Sequence, residues 1–516
     1  MATPSEKLAA SLEILHRLQK DGRRVFQSNE LSRVHRERLL KHGFLRQVIK
    51  GWLMSSSPNS LPGDTTQWYA SFWEFCAGYC TDRFGDEWHL SPEQSIMVHA
   101  EATAIPAQVI VYAPRGTNNT IELLFGTSLY DLKQGSMPPA EDLTHRNGLR
   151  LFTPTAALIK VPESFFVRSP VEAQVALAGV RDASDVLGRL LDGGHSAVAG
   201  RLAGAFRRSG RGDIADEIFA TMKAADYDVR ETDPFAPGQV LGEIRPQVAP
   251  IIGRIEALWK SMRAAIVEEF PPPPGRPEDR DTYLQFVDEI YKSDAYHSLS
   301  IEGYSVTPEL IDRVRSGAWD PDRAGDRRDR DALAARGYWQ AFQSVKTTVA
   351  ATLADENPGT LTRSAHREWY RELFQPFVAA GLITPSALAG YRNNAVYLQG
   401  SRHVPPRWEA VRDAMPALFD LLESEAESSV RAVLGHWLVG YIHPYPDGNG
   451  RIARFLMNVM LASGGYPWTV IRVEDRNAYM AALEGASVET DIRPFARFLA
   501  DRLRWSMAAA AEGRTL

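Results

Sequence analysis

The stretch that most constrains how this chain can fold runs from Ser429 to Ser463. Two long apolar segments, Ser429–Ile442 and Arg451–Ser463, flank the loop His443-Pro-Tyr-Pro-Asp-Gly-Asn-Gly450. The first carries Val430, Val433, Leu434, Trp437, Leu438 and Tyr441, which predicts a helix buried on most sides rather than a surface helix. A domain with two such helices back to back must be built mainly of other helices around them. At 516 residues the chain exceeds one compact core, so three or four domains are expected.

The loop between the helices has the chemistry of an anion site. Gly448 and Gly450 let consecutive backbone N–H groups turn inward as a nest. The N-terminus of the following helix adds its positive end, a combination suited to phosphate. Arg451 and Arg454 lie three apart, one helical turn, and can fork onto phosphate oxygens. Asp447 offers a hard oxygen ligand to a magnesium ion carried by phosphates. His443, at the helix end, can take a proton near neutral pH. A purely structural glycine turn explains Gly-Asn-Gly alone. It does not explain a histidine, an acid, a nest and two arginines in one short window. No GxxxxGK[ST], HExxH or GxSxG pattern competes with this reading.

These residues resemble the Fic family motif, HPFx[DE]GNGRxxR, at every defining position except Tyr445, where Phe is usual. The likeness covers roughly residues 240 to 505. It implies that His443 activates a hydroxyl of a protein target and that Asp447 binds Mg2+. It also implies that Gly448, Asn449 and Gly450 cradle the α- and β-phosphates of ATP, with Arg451 on β and Arg454 on γ. AMP is then transferred to Ser, Thr or Tyr. Gly450, where a phosphate-transferring branch of the family has Lys, favours adenylyl transfer. Tyr479, in Asp475-Arg-Asn-Ala-Tyr-Met-Ala-Ala-Leu483, either lines the adenine pocket or is a buried core tyrosine. Upstream, Ser298-Leu-Ser-Ile-Glu-Gly303 resembles the family's inhibitory motif. Ser298 and Glu302 are four apart on one helix face and Gly303 ends the helix, so Glu302 is expected to pair with Arg454 and occupy the γ-phosphate position. Asn394 to Pro405 alternates apolar and polar residues around Gly400, a hairpin signal. It resembles the family flap, in which Val396, Tyr397 and Leu398 would hold the target by strand pairing.

The N-terminal half reads differently. Residues 1–60 read as a winged-helix-like domain, and its 28–54 stretch resembles a winged-helix DNA-binding module. Helix Ser32–His42 and the segment after it carry Arg33, Arg36, Arg38, Lys41, Arg46 and Lys50 in an otherwise acidic chain of net charge −6. Arg36 and Arg38 are expected to be exposed. The basic face fits DNA, with a protein contact or a solvated face as the alternatives. Residues 64–170 predict mixed α/β structure, with strands at Gln108–Tyr112, Thr120–Phe125 and Leu149–Phe152; the segment through about 170 loosely resembles abortive-infection-type antitoxins. Residues 171–240 predict helix. A run with Pro234, Pro237 and Gly238 marks a linker, and Asp/Arg-rich 319–331 an exposed loop.

The fold expected is therefore mainly α: a helical Fic core over 241–516 with a β-hairpin flap, behind a winged helix and a small α/β region. The activity expected is that of a protein adenylyltransferase restrained by Glu302. The alternatives are removal of AMP at the same site, or a DNA-binding, antitoxin-like regulator with a nucleotide-sensing core. No secretory signal and no stretch long enough to cross a bilayer is visible, so no membrane partner is expected. Cys76 and Cys80 are expected to be buried free thiols, which suits a reducing cytoplasm. A homodimer remains open.

Overall fold

The computed structural model describes residues 3–61, 63–238, 241, 249–318 and 329–511. They form two compact units. One holds residues up to 238 and also takes in Tyr397–Val404; the other holds Ile251–Val396 and the chain from Pro405 onward. Most of the expected 319–331 loop, and the boundary at 240/241, lie outside the described residues.

The first unit opens with α1 (Pro4–Leu18), whose N-terminus is closed by a reciprocal cap between Thr3 and Glu6. Then come β1 (Val25–Gln27), α2 (Arg33–Lys41), β2 (Leu45–Ile49) and β3 (Trp52–Ser55). The strands form an antiparallel sheet in the order β1-β3-β2, turning at Lys50-Gly51, where Gly51 takes φ 91°. Leu15, Phe26, Leu31, Leu39, Leu45 and Leu53 make the small core between sheet and helices. Two of the basic side chains are not free as expected. Arg36 donates from Nη1 to Ser28 O (2.7 Å), and Arg38 donates from Nη1 to Lys7 O and Ser11 Oγ, both at 2.8 Å. Both are half-buried, tied to the elements that α2 packs against. Arg33 is exposed and pairs with Glu37, while Lys41, Arg46 and Lys50 face solvent.

The long helix α3 (Thr66–Phe84) buries Trp68, Phe72 and Phe75 together with Cys76 and Cys80, which are free thiols. It is followed by β4 (His89–Leu90), α4 (Pro92–His99), β5 (Gln108–Ala113), β6 (Asn119–Glu122) and β7 (Ser128–Lys133). These strands run in the order β4-β5-β7-β6, with β5 and β7 parallel. The strand expected over 120–125 stops at Glu122, because Phe125 enters a turn at φ 52°. A hairpin of β8 (Leu143–Arg146) and β9 (Leu149–Phe152) comes next. Six helices then complete the unit: α5 (Pro154–Lys160), α6 (Glu163–Arg168), α7 (Pro170–Ala178), α8 (Ser184–Asp192), α9 (Ser196–Arg208) and α10 (Gly212–Ala224).

The second unit is helical. It comprises α11 (Pro250–Glu269), α12 (Arg280–Ile301), α13 (Pro308–Arg315), α14 (Arg330–Leu353), α15 (Pro358–Ala379), α16 (Val411–Ser424), α17 (Ser428–Ile442), α18 (Asn449–Ala462), α19 (Arg476–Glu484) and α20 (Arg493–Ala511). As the apolar pattern predicts, α17 and α18 are buried nearly all round. They sit at the centre, with α14, α15, α16 and α20 packed around them.

The 394–405 segment does not pair with itself. It turns at Gly400, φ 76°, without forming strands, and residues 402–404 bond instead to residues 103–105 of the first unit. Alternation predicted the extended backbone there, but the hydrogen-bond partner is non-local.

Candidate active site

The loop 443–450 is held by side chains from within and from behind. Tyr445 is fully buried and stacks on Tyr370 of α15, with ring centroids 4.1 Å apart. The ring that departs from the usual Phe thus fills the same kind of apolar slot. Asn449 closes the loop on itself: Tyr445 N–H donates to Asn449 Oδ1, and Asn449 Nδ2 donates to Tyr445 O, both at 2.9 Å. Its side chain is tied to Tyr445 through both its oxygen and its nitrogen. Gly448 caps α18 in the left-handed region at φ 80°, where a side chain would be strained and would also strike Phe374. The first N–H groups of α18 thereby have no partner within the helix.

The two arginines project from the first turns of α18. Arg451 is buried to 1%, with its guanidinium between the rings of Phe374 (5.1 Å) and Tyr304 (5.5 Å). Its Nη2 lies 3.4 Å from Asp447, while Nε and Nη1 have no partner. Arg454 donates from Nε to Ser298 Oγ (2.8 Å) and from Nη2 to Ser298 O (3.1 Å) and Glu302 Oε1 (2.6 Å); its Nη1 is unmet. Buried N–H donors on a cation are rarely left without acceptors. Three of them beside a helix N-terminus ask for an anion of several oxygens.

Ser298 and Glu302 lie on one face of α12, and Gly303 turns the chain away at φ 86°. Burial alone would raise the Glu302 carboxyl's pKa. Arg454 and then Arg451 outweigh that and hold it below the ordinary carboxylate range. Glu302 also fills the space above Gly450, where a Cβ would come within 2.3 Å of its Oε1.

His443 caps α17 in the left-handed conformation, φ 51° and ψ 59°. Burial pushes its pKa down to about 4, with Arg392 contributing in the same direction. At neutral pH the ring is therefore uncharged. Its Nδ1 lies 3.4 Å from Gly440 O, and a carbonyl accepts only from N–H, so Nε2 is the basic nitrogen. Asp447 is exposed, with one oxygen accepting from Gly448 N–H.

Tyr479 is buried to 2%, its OH 2.7 Å from His436 Nε2 and its ring among His436, Phe495 and Phe498. Tyr397 and Leu398 belong to the first unit, and Val396 to the second. Sequence reasoning missed Tyr304 and Phe374, which sandwich Arg451, because neither lies at a fixed spacing from the motif.

Loop, helix end and paired arginines thus lie with an uncharged histidine in one helical unit. Residues 360–461 match the model of the Fic/DOC family. A curated relative named protein adenylyltransferase Fic, from Drosophila willistoni, is 42% identical over 217 residues, covering 41% of this chain and 40% of the relative. One of the same name from Nematostella vectensis is 31% identical over 218 residues, covering 42% and 47%. The chain thus spans less than half the length of these relatives. Among solved structures, Fic-1 (aa 134–508) from C. elegans aligns at 19% identity and a TM-score of 0.38, over 66% of this chain and 99% of that one.

Proposed function

We propose that this Fic domain transfers AMP from ATP to a Ser, Thr or Tyr hydroxyl of a protein target, and that Glu302 restrains it. The observation that carries the reading is the set of buried, partnerless guanidinium N–H groups on Arg451 and Arg454 beside the neutral ring of His443. The backbone N–H groups of Gly448, Asn449 and Gly450 hold the α- and β-phosphates, Arg451 the β-phosphate and Arg454 the γ-phosphate. The target oxygen attacks the α-phosphorus while its proton passes to His443 Nε2. The new P–O bond replaces the bond to the β-phosphate bridging oxygen, and pyrophosphate leaves.

A magnesium ion fits this donor set in one way only. No cluster of three or more His, Cys, Asp or Glu side chains able to cage a metal exists among the described residues. An exposed single carboxylate, Asp447, suits an ion that keeps its waters and rides on the phosphates. Such an ion would offset phosphate charge. Glu302, bonded to Arg454, occupies the γ-phosphate position and keeps ATP from its productive pose. Tyr479 would form the inner wall of the adenine pocket through His436. Val396, Tyr397 and Leu398 would read the target's backbone.

The first sixty residues, with sheet order β1-β3-β2 beside α1 and α2, support a winged-helix-like domain ahead of the 64–170 and 171–240 regions and the Fic domain at 241–516. DNA would be its partner. No helix among the described residues is long and apolar enough to cross a membrane, and the free thiols Cys76 and Cys80 agree with a cytoplasmic setting.

The deciding experiment incubates a host lysate with the chain or with its Glu302→Gly variant, which lacks the proposed restraint, and with ATP labelled at the α- or γ-phosphate. Protein should gain the α label and not the γ label. Gain of γ label makes the domain a kinase. Loss of AMP from a pre-modified target makes the reverse reaction dominant, and no label in either arm leaves a sensor.

A further inference from the structure

Arg392 lies 51 residues before His443, in no motif visible in the sequence, and is buried to 3%. Its Nε donates to His443 O at 2.8 Å. Its Nη2 donates to Ile442 O at 3.4 Å and to Pro406 O, its Nη1 to Asn394 O at 2.8 Å, and its backbone N–H to Pro444 O at 2.9 Å. Burying a guanidinium is costly unless its N–H groups find acceptors. Here the acceptors are the last carbonyls of α17, the carbonyl of Asn394 and that of Pro406, just beyond the 394–405 segment.

The end of α17 needs such a partner. His443 is in the left-handed region, which disfavours a residue that carries a Cβ. The next residue is Pro444, which has no N–H to close the helix in the usual C-terminal motif. The carbonyls of Ile442, His443 and Pro444 would face a buried space without donors. One guanidinium and its own backbone N–H meet all three, and a cation at a helix C-terminus is favourable in its own right.

We propose that Arg392 is a positioning residue: it holds the His443 backbone in its left-handed turn, and with the same guanidinium anchors Asn394 and Pro406. The role rests on the transferase reading insofar as His443 is the base. A loss of this clamp rotates the imidazole about a backbone that has a lower-energy alternative. The nest and Arg454 stay in place, because the Tyr445–Asn449 bonds and those of Arg454 to Ser298 hold them independently.

The test uses the full chain with Glu302→Gly as parent, adding Arg392→Lys or Arg392→Met. Three quantities are read: kcat and KM for labelled ATP, ATP affinity by calorimetry, and the His443 titration midpoint by NMR of 13C-labelled histidines, assigned with His443→Ala. A shift of the base by about 1 Å costs about 100-fold in rate. Both variants should therefore lose about 100-fold in kcat with ATP affinity within threefold of the parent. In the Met variant the His443 midpoint should rise, since a nearby cation has gone. A kcat within threefold of the parent and an unmoved midpoint overturn the proposal. So does a parallel collapse of kcat and ATP affinity, which makes Arg392 a general strut. If the Met variant fails to fold, the Lys variant decides, because it keeps the charge but cannot reach four carbonyls at once. If the parent itself transfers no AMP, the function reading falls, and the His443 midpoint alone decides the role of Arg392.

Discussion

Replacing Glu302 by glycine should raise AMP transfer by about 10- to 100-fold. Arg454 makes three bonds to α12 and its cap, and only the one to Glu302 Oε1, at 2.6 Å, goes to an anionic acceptor. A hydrogen bond to a charged group contributes about 1.5–3 kcal/mol. At about 1.4 kcal/mol per tenfold, that is the factor by which the γ-phosphate gains when it no longer displaces a carboxylate. The two bonds to Ser298 survive the substitution, so the guanidinium stays aimed. Glu302 sits at the C-cap with φ −81° and ψ 1°, a conformation glycine adopts freely, so the helix loses less than the ~1 kcal/mol of an interior glycine. The assay measures the initial rate of α-labelled AMP incorporation and the affinity for ATP on the same preparation. Glu302→Gln, which keeps the volume but not the charge, should fall between parent and Gly variant. Equal rates and equal affinities in parent and Gly variant would refute the claim that this carboxylate restrains the site. Arg454→Ala should not mimic the Gly variant, because it removes the γ-phosphate donor as well.

Three further outcomes are expected. His443→Ala should lower transfer by about 10²–10⁴-fold, the usual weight of a general base. ATP affinity measured by calorimetry should stay within threefold, and substantial residual labelling would take His443 out of that role. Acidification should destabilise the fold. Burial holds His366 down to about 4 and His436 to about 3, so below pH 6.5 the unfolded chain takes up protons the native state refuses. Asp294, raised to about 6 by burial, works the other way below pH 6. With His443, held at about 4 in the same way, the balance of these four at pH 4.5 is a loss of about 5 kcal/mol at 1.36 kcal/mol per pKa unit, read by denaturant unfolding at pH 7 and 4.5; a higher stability at pH 4.5 would contradict it. If the first sixty residues bind DNA, Lys41→Glu with Lys50→Glu should abolish a low-salt mobility shift by the full chain while AMP transfer persists. These lysines replace Arg36 and Arg38 as the informative positions, since those two arginines are structural ties. Unchanged DNA binding would assign the basic face to solvent.

The central chemistry was legible because it is local. Two apolar helices, a glycine nest, a histidine and two arginines one turn apart all fall within one short window, where helix geometry alone dictates what faces what. Glu302 was legible for the same reason, as a helix-end carboxylate four residues after Ser298. What the sequence hid is whatever depends on distant partners. The Asn449 side chain closes the loop on Tyr445, a pairing that no local spacing announces. The 394–405 segment alternates like a hairpin, yet its hydrogen bonds go to residues 103–105, nearly three hundred positions earlier in the chain. Arg36 and Arg38 look like free surface charge until α1 and the Ser28 carbonyl are packed against them. Arg392 has no local signature at all. Its role arises because α17 ends at a left-handed histidine followed by proline, and the donors those carbonyls need can come only from another part of the fold. The sequence by itself determined the glycine loop and its flanking helices. Only the tertiary structure decided which buried polar groups are satisfied internally and which are left for a ligand, because that depends on partners no local spacing encodes.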